Sequence, residues 1–141
     1  MIALTVEGDK KGVPAAALRA SWYRLLADAT RKTGYAVPKT ISIALIQEVT
    51  MRSINKRTRG LDRVTDVLSF LYSLDEGELL IAPAQARRQF KTFKSVSVKD
   101  EIKRLVIHGY LHLAGLDHIK KKERMVMEHA TDKILSLVKK I

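Results

Sequence analysis

The amino-acid sequence predicts one domain built from both helices and strands, with its chemistry concentrated on one buried helix. A chain of 141 residues is expected to enclose a single core, so we assign residues 1–141 to one domain. Segments with the two-residue period of strands are interspersed with segments of helical period. Three of the four histidines fall within the stretch HGYLHLAGLDH, residues 108–118. This stretch is therefore the first candidate for a functional site.

Four segments carry the alternating or β-branched residues of strands. They cover residues 2–7, 40–49, 65–72 and 78–82. The turn residues Asp75–Glu76–Gly77 separate the last two segments. These two segments therefore predict a hairpin.

Five segments show helical spacing or helix-boundary residues. They cover residues 14–34, 50–56, 83–93, 98–114 and 121–138. Pro14 and Pro83 suit first helical turns, and Thr50 is expected to cap the second helix. Residues 59–62 are expected to form a loop after it. The apolar faces comprise Leu18, Trp22, Leu25 and Ala29 in the first helix and Met127, Ala130, Ile134 and Leu137 in the last.

The helix over residues 98–114 is predicted to begin after a Ser97 cap and to be buried, because apolar residues surround almost its whole circumference. His108 and His112 are separated by about 40° on this helix, so they share one face. Gly115 suits the left-handed conformation that ends a helix. After that turn, His118 can return toward the same point.

Three converging neutral imidazoles form a metal site. Zn²⁺ is the expected ion, with a fourth position open as in catalytic sites, and nickel is an alternative. The chain has no cysteine, so thiolate ligands and disulfides are excluded. Asp117 either accepts a hydrogen bond from a ligand imidazole or stabilises the turn. His129 lies away from the apolar face of the last helix and is expected to be solvated.

The histidine spacing is that of the long zinc-peptidase, or metzincin, motif H-E-x-x-H-x-x-G-x-x-H. Position 109 is Gly, where that motif has the glutamate that acts as base. Because Gly109 has no group to accept a proton, a peptidase with the usual mechanism is disfavoured.

The charge of the chain favours a polyanionic partner. It has 26 Lys and Arg residues against 15 Asp and Glu residues, a formal net charge of +11. Three basic clusters lie within residues 52–63, 87–94 and 120–124, and they indicate nucleic acid. We found neither a membrane-spanning apolar stretch nor the pattern of a signal peptide, so a cytoplasmic protein is expected.

The stretch HGYLHLAGLDH resembles the signature H-G-x-L-H-L-x-G-x-D-H of the YbeY family, bacterial metal-dependent endoribonucleases and ribosomal-RNA maturation factors. Upstream, Arg59–Gly60 and the segment TDVLSF at 65–70 are similar to the family pattern R-G-x-x-x-x-T-[DN]-V-L-S-F. Val64 and Leu71 depart from it, since the family usually has proline there. The residues that fit the lead into the histidine motif are Glu101, Arg104, Leu105 and Val106.

The resemblance implies a compact α+β domain with a small mixed sheet packed against helices, a central metal-bearing helix and a metzincin-like zinc site. It implies cleavage of single-stranded RNA in 3′-end maturation of small-subunit ribosomal RNA and in ribosome quality control. The implied partners are ribosomal RNA, the small ribosomal subunit and an assembly GTPase, with no role for DNA. By the same resemblance His108, His112 and His118 bind the metal, and Arg59 and His112 are the catalytic candidates.

We hypothesise that RNA follows the basic segment 52–63 into a cleft, where Arg59 and zinc clamp the scissile phosphate. A zinc-bound water and the neighbouring 2′-hydroxyl are both open as the attacking group, and the sequence identifies no general base. Two other functions remain open. One is an RNA-binding ribosome-assembly factor with a structural metal, and the other is a zinc hydrolase of a different substrate.

Overall fold

The computed structural model describes residues 1–92, 95–116 and 120–141. They form a four-stranded mixed sheet and five α-helices, which confirms the predicted α+β class. The strands are β1 (Ile2–Val6), β2 (Thr40–Leu45), β3 (Val67–Ser73) and β4 (Glu76–Ile81). The helices are α1 (Ala20–Lys32), α2 (Glu48–Arg59), α3 (Pro83–Gln89), α4 (Val98–Leu113) and α5 (Lys121–Leu137), and a short 3-10 helix, Ala15–Leu18, precedes α1.

The sheet has the order β1-β2-β4-β3, with β1, β2 and β4 parallel and β3 antiparallel to β4 at one edge. The predicted hairpin of the third and fourth strands is therefore confirmed. The main core lies between one sheet face and helices α1, α4 and α5. A smaller cluster joins the sheet to α2 through Met51, Leu68 and Leu80. None of the helices in the described ranges has the length and apolarity needed to cross a bilayer.

Helix α4 begins and ends where the sequence predicts. Ser97 is its N-cap, and the Ser97 hydroxyl accepts a hydrogen bond of 3.1 Å from the backbone N–H of Asp100. At the other end Gly115 has a φ of 100°, and the Leu116 N–H donates to the Leu111 carbonyl at 3.0 Å. This closing pattern satisfies terminal carbonyls of the helix and turns the chain sharply.

Glycine lets α4 approach strand β4 at two points. A Cβ placed on Gly109 would lie 2.8 Å from Leu79 Cδ2, and one on Gly77 would lie 3.0 Å from Leu113 Cδ1. Position 109 therefore has no room for a glutamate side chain in this packing. The sequence shows that position 109 lacks the glutamate base, and the packing against Leu79 explains why a side chain is not accommodated there.

A buried carboxylate ties α4 to its neighbours. Glu101 is 0% exposed and forms a two-point ion pair with Arg104, with N–O distances of 2.8 and 2.7 Å. Ser95 and Gln89 also donate to this carboxylate, each at 2.8 Å. Gln89 donates in addition to Asp66, just before β3, at 2.7 Å. The network thus fixes α4 relative to α3 and the start of β3.

The amino-terminal helical prediction was wrong in two respects. The segment from Pro14 is not continuous, because Arg19 is extended and separates the 3-10 helix from α1. Leu25 is 50% exposed, and Leu26 takes its place in the core. Trp22 is 3% exposed, so its predicted core position is confirmed.

The second helix differs more from its prediction. Gln47, not Thr50, is the N-cap of α2, because β2 ends at Leu45 and leaves room for an earlier start. The Thr50 hydroxyl instead donates to the Glu7 carboxylate at 2.6 Å. The helix also continues to Arg59, which is therefore its last residue and not part of a loop.

Two smaller corrections concern the carboxyl half of the chain. Helix α3 ends at Gln89, well before the predicted end near Phe93, which lies outside the described residues. In α5, Leu137 is 61% exposed, and Val138 is buried instead. His129 is exposed, as predicted.

We expect Gly109→Ala to lower the free energy of unfolding by about 1–2 kcal/mol, because overpacking outweighs the better helix propensity of alanine. The added methyl would lie 2.8 Å from Leu79 Cδ2. Urea denaturation measures the change. In a Leu79→Val background, where the clashing atoms are gone, Gly109→Ala should be neutral or stabilising, and an equal loss in both backgrounds contradicts the packing argument.

We expect Glu101→Gln to destabilise the fold by about 3 kcal/mol, because it removes the negative charge of the buried carboxylate that pairs with the Arg104 guanidinium. The control is Asp28→Asn, which breaks an exposed Arg31–Asp28 pair of 3.1 Å and should cost less than about 1 kcal/mol. Equal effects of the two changes in urea denaturation would contradict a structural role for the buried network.

Candidate active site

One face of α4 carries three polar side chains in a row. Between Glu101 and Leu113 every residue is buried except Arg104, His108 and His112, which are half-buried and four residues apart. All three line an open cleft of about 1140 Å³. The row therefore presents two imidazoles and a guanidinium to the same cavity.

The two histidines suit part of a metal site. The ring centroids of His108 and His112 are 4.9 Å apart, with an interplanar angle of 74°. Two adjacent imidazoles on the wall of an accessible cleft fit the nitrogen ligands that Zn²⁺ and related ions prefer. The predicted third ligand, His118, and its neighbour Asp117 lie outside the described residues. Within the described ranges, no group of three His, Cys, Asp or Glu side chains is placed to hold a metal ion.

Three further arginines line the cleft from other elements. Arg59 is the last residue of α2, Arg63 lies between α2 and β3, and Arg124 lies on α5. Across the described part of the chain, these three side chains form no ion pair or hydrogen bond. By contrast, Arg52, Arg88 and Arg104 are each paired with a carboxylate. These three guanidinium groups therefore reach the cleft without a paired carboxylate among the described residues.

Asp62, the acid within the basic segment 52–63, does not pair with the arginines of the cleft. Asp62 accepts a hydrogen bond of 2.8 Å from Arg52 Nε, and Lys56 Nζ lies 4.0 Å from its other oxygen. The hydrogen bond and charge of Arg52 lower the pKa of the Asp62 carboxyl. Asp62 is not among the residues that line the cleft, whereas Arg59 and Arg63 are.

Carboxylates also line the cleft, and the sequence analysis did not identify them. Glu128 and Asp132 follow Arg124 on α5 at four-residue intervals, so this row faces the cleft just as the histidine row does. Asp66, just before β3, lines the cleft as well. The four-residue spacing on α5 was the available sequence signal, but nothing in the sequence indicates which helix α5 faces.

The structure brings Arg59, His108 and His112 to one cleft, although they come from two helices nearly fifty residues apart in sequence. Their individual roles stay predictions.

The second basic cluster, within residues 87–94, differs from the cleft arginines. Arg88 pairs with Glu48, and Arg87 lines a separate cavity.

The chain is similar to known proteins over most of its length. A sequence model of the family described as Endoribonuclease YbeY matches residues 4–139. A relative named Endoribonuclease YbeY from Persephonella marina is 37% identical over 110 residues, which cover 70% of each chain. Another of that name from Lysinibacillus sphaericus is 34% identical over 114 residues, covering 70% of this chain and 72% of the relative.

A solved structure extends the comparison to the whole fold. The solution structure of TM1509 from Thermotoga maritima matches with a TM-score of 0.59 at 25% sequence identity. The match covers 99% of this chain and 92% of that protein. Together with the family match over residues 4–139, these relatives show that the chain belongs to the YbeY endoribonuclease family.

Proposed function

We propose that the chain is a metal-dependent endoribonuclease that cleaves single-stranded RNA in the cleft described above. The observation that carries the proposal is the position of Arg59, which pairs with no described carboxylate, in the same cleft as His108 and His112. The name that the relatives share supports RNA as the substrate. Unpaired guanidinium groups suit the phosphates of RNA because their donor geometry matches phosphate oxygens.

Zn²⁺ is the proposed metal, with nickel as the alternative, and His108, His112 and His118 would hold it. A divalent ion at this position supplies Lewis-acid polarisation of a phosphoryl oxygen. His112 is thus a catalytic candidate as a ligand. Neutral imidazoles are consistent with a chain that has no cysteine to offer.

The arginines bind and orient the substrate in this proposal. Arg59 contacts the scissile phosphate and stabilises the negative charge that develops on its oxygens. Arg63 and Arg124 lie on separate elements and bind neighbouring phosphates of the same strand. RNA is therefore held at several points along the cleft before the reaction.

The carboxylates of the cleft differ in whether their oxygens are engaged in hydrogen bonds, and this difference bears on which of them accepts a proton. Asp66 accepts hydrogen bonds from the Val67 N–H at 2.8 Å and from Gln89 at 2.7 Å, so both of its oxygens are engaged in structure. Glu128 and Asp132 are exposed residues on the cleft wall. These two are the stronger candidates for accepting a proton from the attacking group.

The wider role proposed here follows the family resemblance. The chain would act in the cytoplasm in ribosomal-RNA processing, including 3′-end maturation of small-subunit ribosomal RNA, and in ribosome quality control. Its partners would be the small ribosomal subunit and an assembly GTPase. The exposed Lys120, Lys121 and Lys122 at the start of α5 add positive charge next to Arg124 and favour such a polyanionic partner.

We expect Arg59→Ala to lower kcat for a single-stranded RNA by about 10²- to 10³-fold while the metal content is unchanged, because a donor to the developing charge is lost. The matched control is Arg57→Ala, an exposed arginine of the same helix that does not line the cleft. The kcat of Arg57→Ala should stay within about twofold of the wild-type value. Full cleavage by metal-replete Arg59→Ala protein would remove Arg59 from the mechanism.

We expect elemental analysis of the purified protein to give about one zinc per chain, and His112→Ala to lose both the metal and RNA cleavage. His129→Ala is the control, since His129 is exposed on α5. It should retain both properties. A metal-replete wild-type protein that binds RNA without cutting it would favour the ribosome-assembly factor, and faster turnover of a peptide or another ester would favour a different zinc hydrolase.

A further inference from the structure

Among the described residues, one buried side-chain atom lacks a hydrogen-bond partner, the carbonyl oxygen Oδ1 of Asn55. Asn55 is 0% exposed, and it belongs to the part of α2 that lines the cleft. Leaving such a buried acceptor unsatisfied is unfavourable, because it has lost its hydrogen bonds to water without gaining others. Native structures satisfy nearly all such groups, so this exception calls for a physical explanation.

The other polar groups of Asn55 hold the segment that carries two cleft arginines. Its side-chain Nδ2 donates to the carbonyl of Arg63 at 2.9 Å. Its backbone carbonyl accepts the N–H groups of Gly60 and Leu61, the latter at 3.4 Å. Gly60 has a φ of 71°, which allows the chain to turn back directly after Arg59. Asn55 therefore fixes both ends of the segment from Arg59 to Arg63.

The bond to the Arg63 carbonyl also fixes the orientation of the Asn55 amide. A carbonyl oxygen can only accept, so the Nδ2 group must face it. Oδ1 is therefore the end of the amide that remains to be satisfied. Its partner must be a donor that reaches this part of the cleft wall.

Arg59 meets these requirements. It lies four residues after Asn55 on α2, so the two side chains project from the same helix face. Its guanidinium forms no hydrogen bond or ion pair within the described residues. A guanidinium carries five N–H donors, so one edge can donate to Oδ1 while another edge binds phosphate oxygens. Phosphate oxygens themselves lack hydrogen and cannot satisfy the Asn55 carbonyl.

We propose that Asn55 is a positioning residue for Arg59. When an RNA phosphate enters the cleft, the Arg59 guanidinium donates to Asn55 Oδ1 and is held in the orientation that binds the phosphate. The previously unsatisfied acceptor then gains its hydrogen bond in the RNA complex, which favours that state. This inference rests on the proposed function in that it takes RNA to be the ligand of the cleft.

The first test measures phosphate contacts without relying on turnover. The affinity of the metal-replete protein for a labelled single-stranded RNA, 2′-O-methylated to slow cleavage, is determined across salt concentrations. Loss of one phosphate contact should reduce the slope of log K against log salt by about 0.7. We expect this reduction in Asn55→Leu and in Arg59→Ala, with no further reduction in the double variant.

The second test measures kcat for the same single and double variants. Asn55→Leu should lower kcat by about 10- to 100-fold with Arg59 present, because the arginine is misplaced. In an Arg59→Ala background it should lower kcat less than about twofold. Asn55→Asp retains an acceptor at Oδ1 but loses the donor to the Arg63 carbonyl, so it should recover part of the kcat that Asn55→Leu loses.

A matched control loosens the same segment from its other side. Asp62→Asn weakens the exposed contact with Arg52 and leaves Asn55 unchanged, so kcat should stay within about twofold of wild type. If Asn55→Leu does not fold, Asn55→Ser takes its place in the cycle, since its side chain is too short to reach either partner.

Several results would overturn the inference. These are additive losses for the Asn55 and Arg59 changes, a wild-type salt slope in Asn55→Leu, and an equal loss of kcat in Asp62→Asn. If the wild-type protein neither binds nor cleaves RNA, the proposed function itself is wrong. A wild-type protein that cleaves RNA, with additive Asn55 and Arg59 effects, contradicts the positioning role alone.

Discussion

The cleft depends on one buried carboxylate, that of Glu101. A charge at a fully buried position is tolerated only when it is paired and fully hydrogen-bonded. Arg104, Ser95 and Gln89 meet that requirement from three directions. Rotation or sliding of α4 would break the bonds from Gln89 and Ser95, because these two donors lie outside the helix that carries Glu101 and Arg104. The position of the histidine row, which begins one turn after this ion pair, therefore follows from the burial of Glu101.

The second constraint is the way in which positive charge reaches the cleft. Arg59 comes from the last turn of α2, which packs on the sheet face opposite to α4. It reaches the same cavity as His108 because β3 is the edge strand and leaves that side of the sheet open. The sheet thus lies between the basic segment 52–63 and helix α4, and side chains from both meet at the β3 edge. The cleft therefore requires helices packed on both faces of the sheet.

Local patterns predicted most of the elements, because caps, glycines and apolar periods act over a few residues. The Ser97 cap, the Gly115 turn and the shared face of His108 and His112 follow from such short-range rules and agree with the structure. The start of α2 at Glu48 did not follow, since its capping by Gln47 depends on where β2 ends. Arg104 lies three residues after Glu101 on the same helix, whereas the contact of Glu101 with Gln89 depends on how α3 packs against α4, which one sequence does not reveal. The unsatisfied Asn55 carbonyl likewise depends on tertiary packing. His118 lies outside the described residues, so the third predicted ligand stays a prediction.

The contact between Gly109 and Leu79 also limits how this fold can change its chemistry. A zinc peptidase would need glutamate at position 109, yet in the present packing even a methyl group there would lie 2.8 Å from a leucine of β4. Acquiring that base in a single evolutionary step would therefore destabilise the core before it could produce activity. A smaller residue at position 79 would have to come first. The packing of the sheet thus separates this chain from peptidases with the same histidine spacing by at least two ordered substitutions.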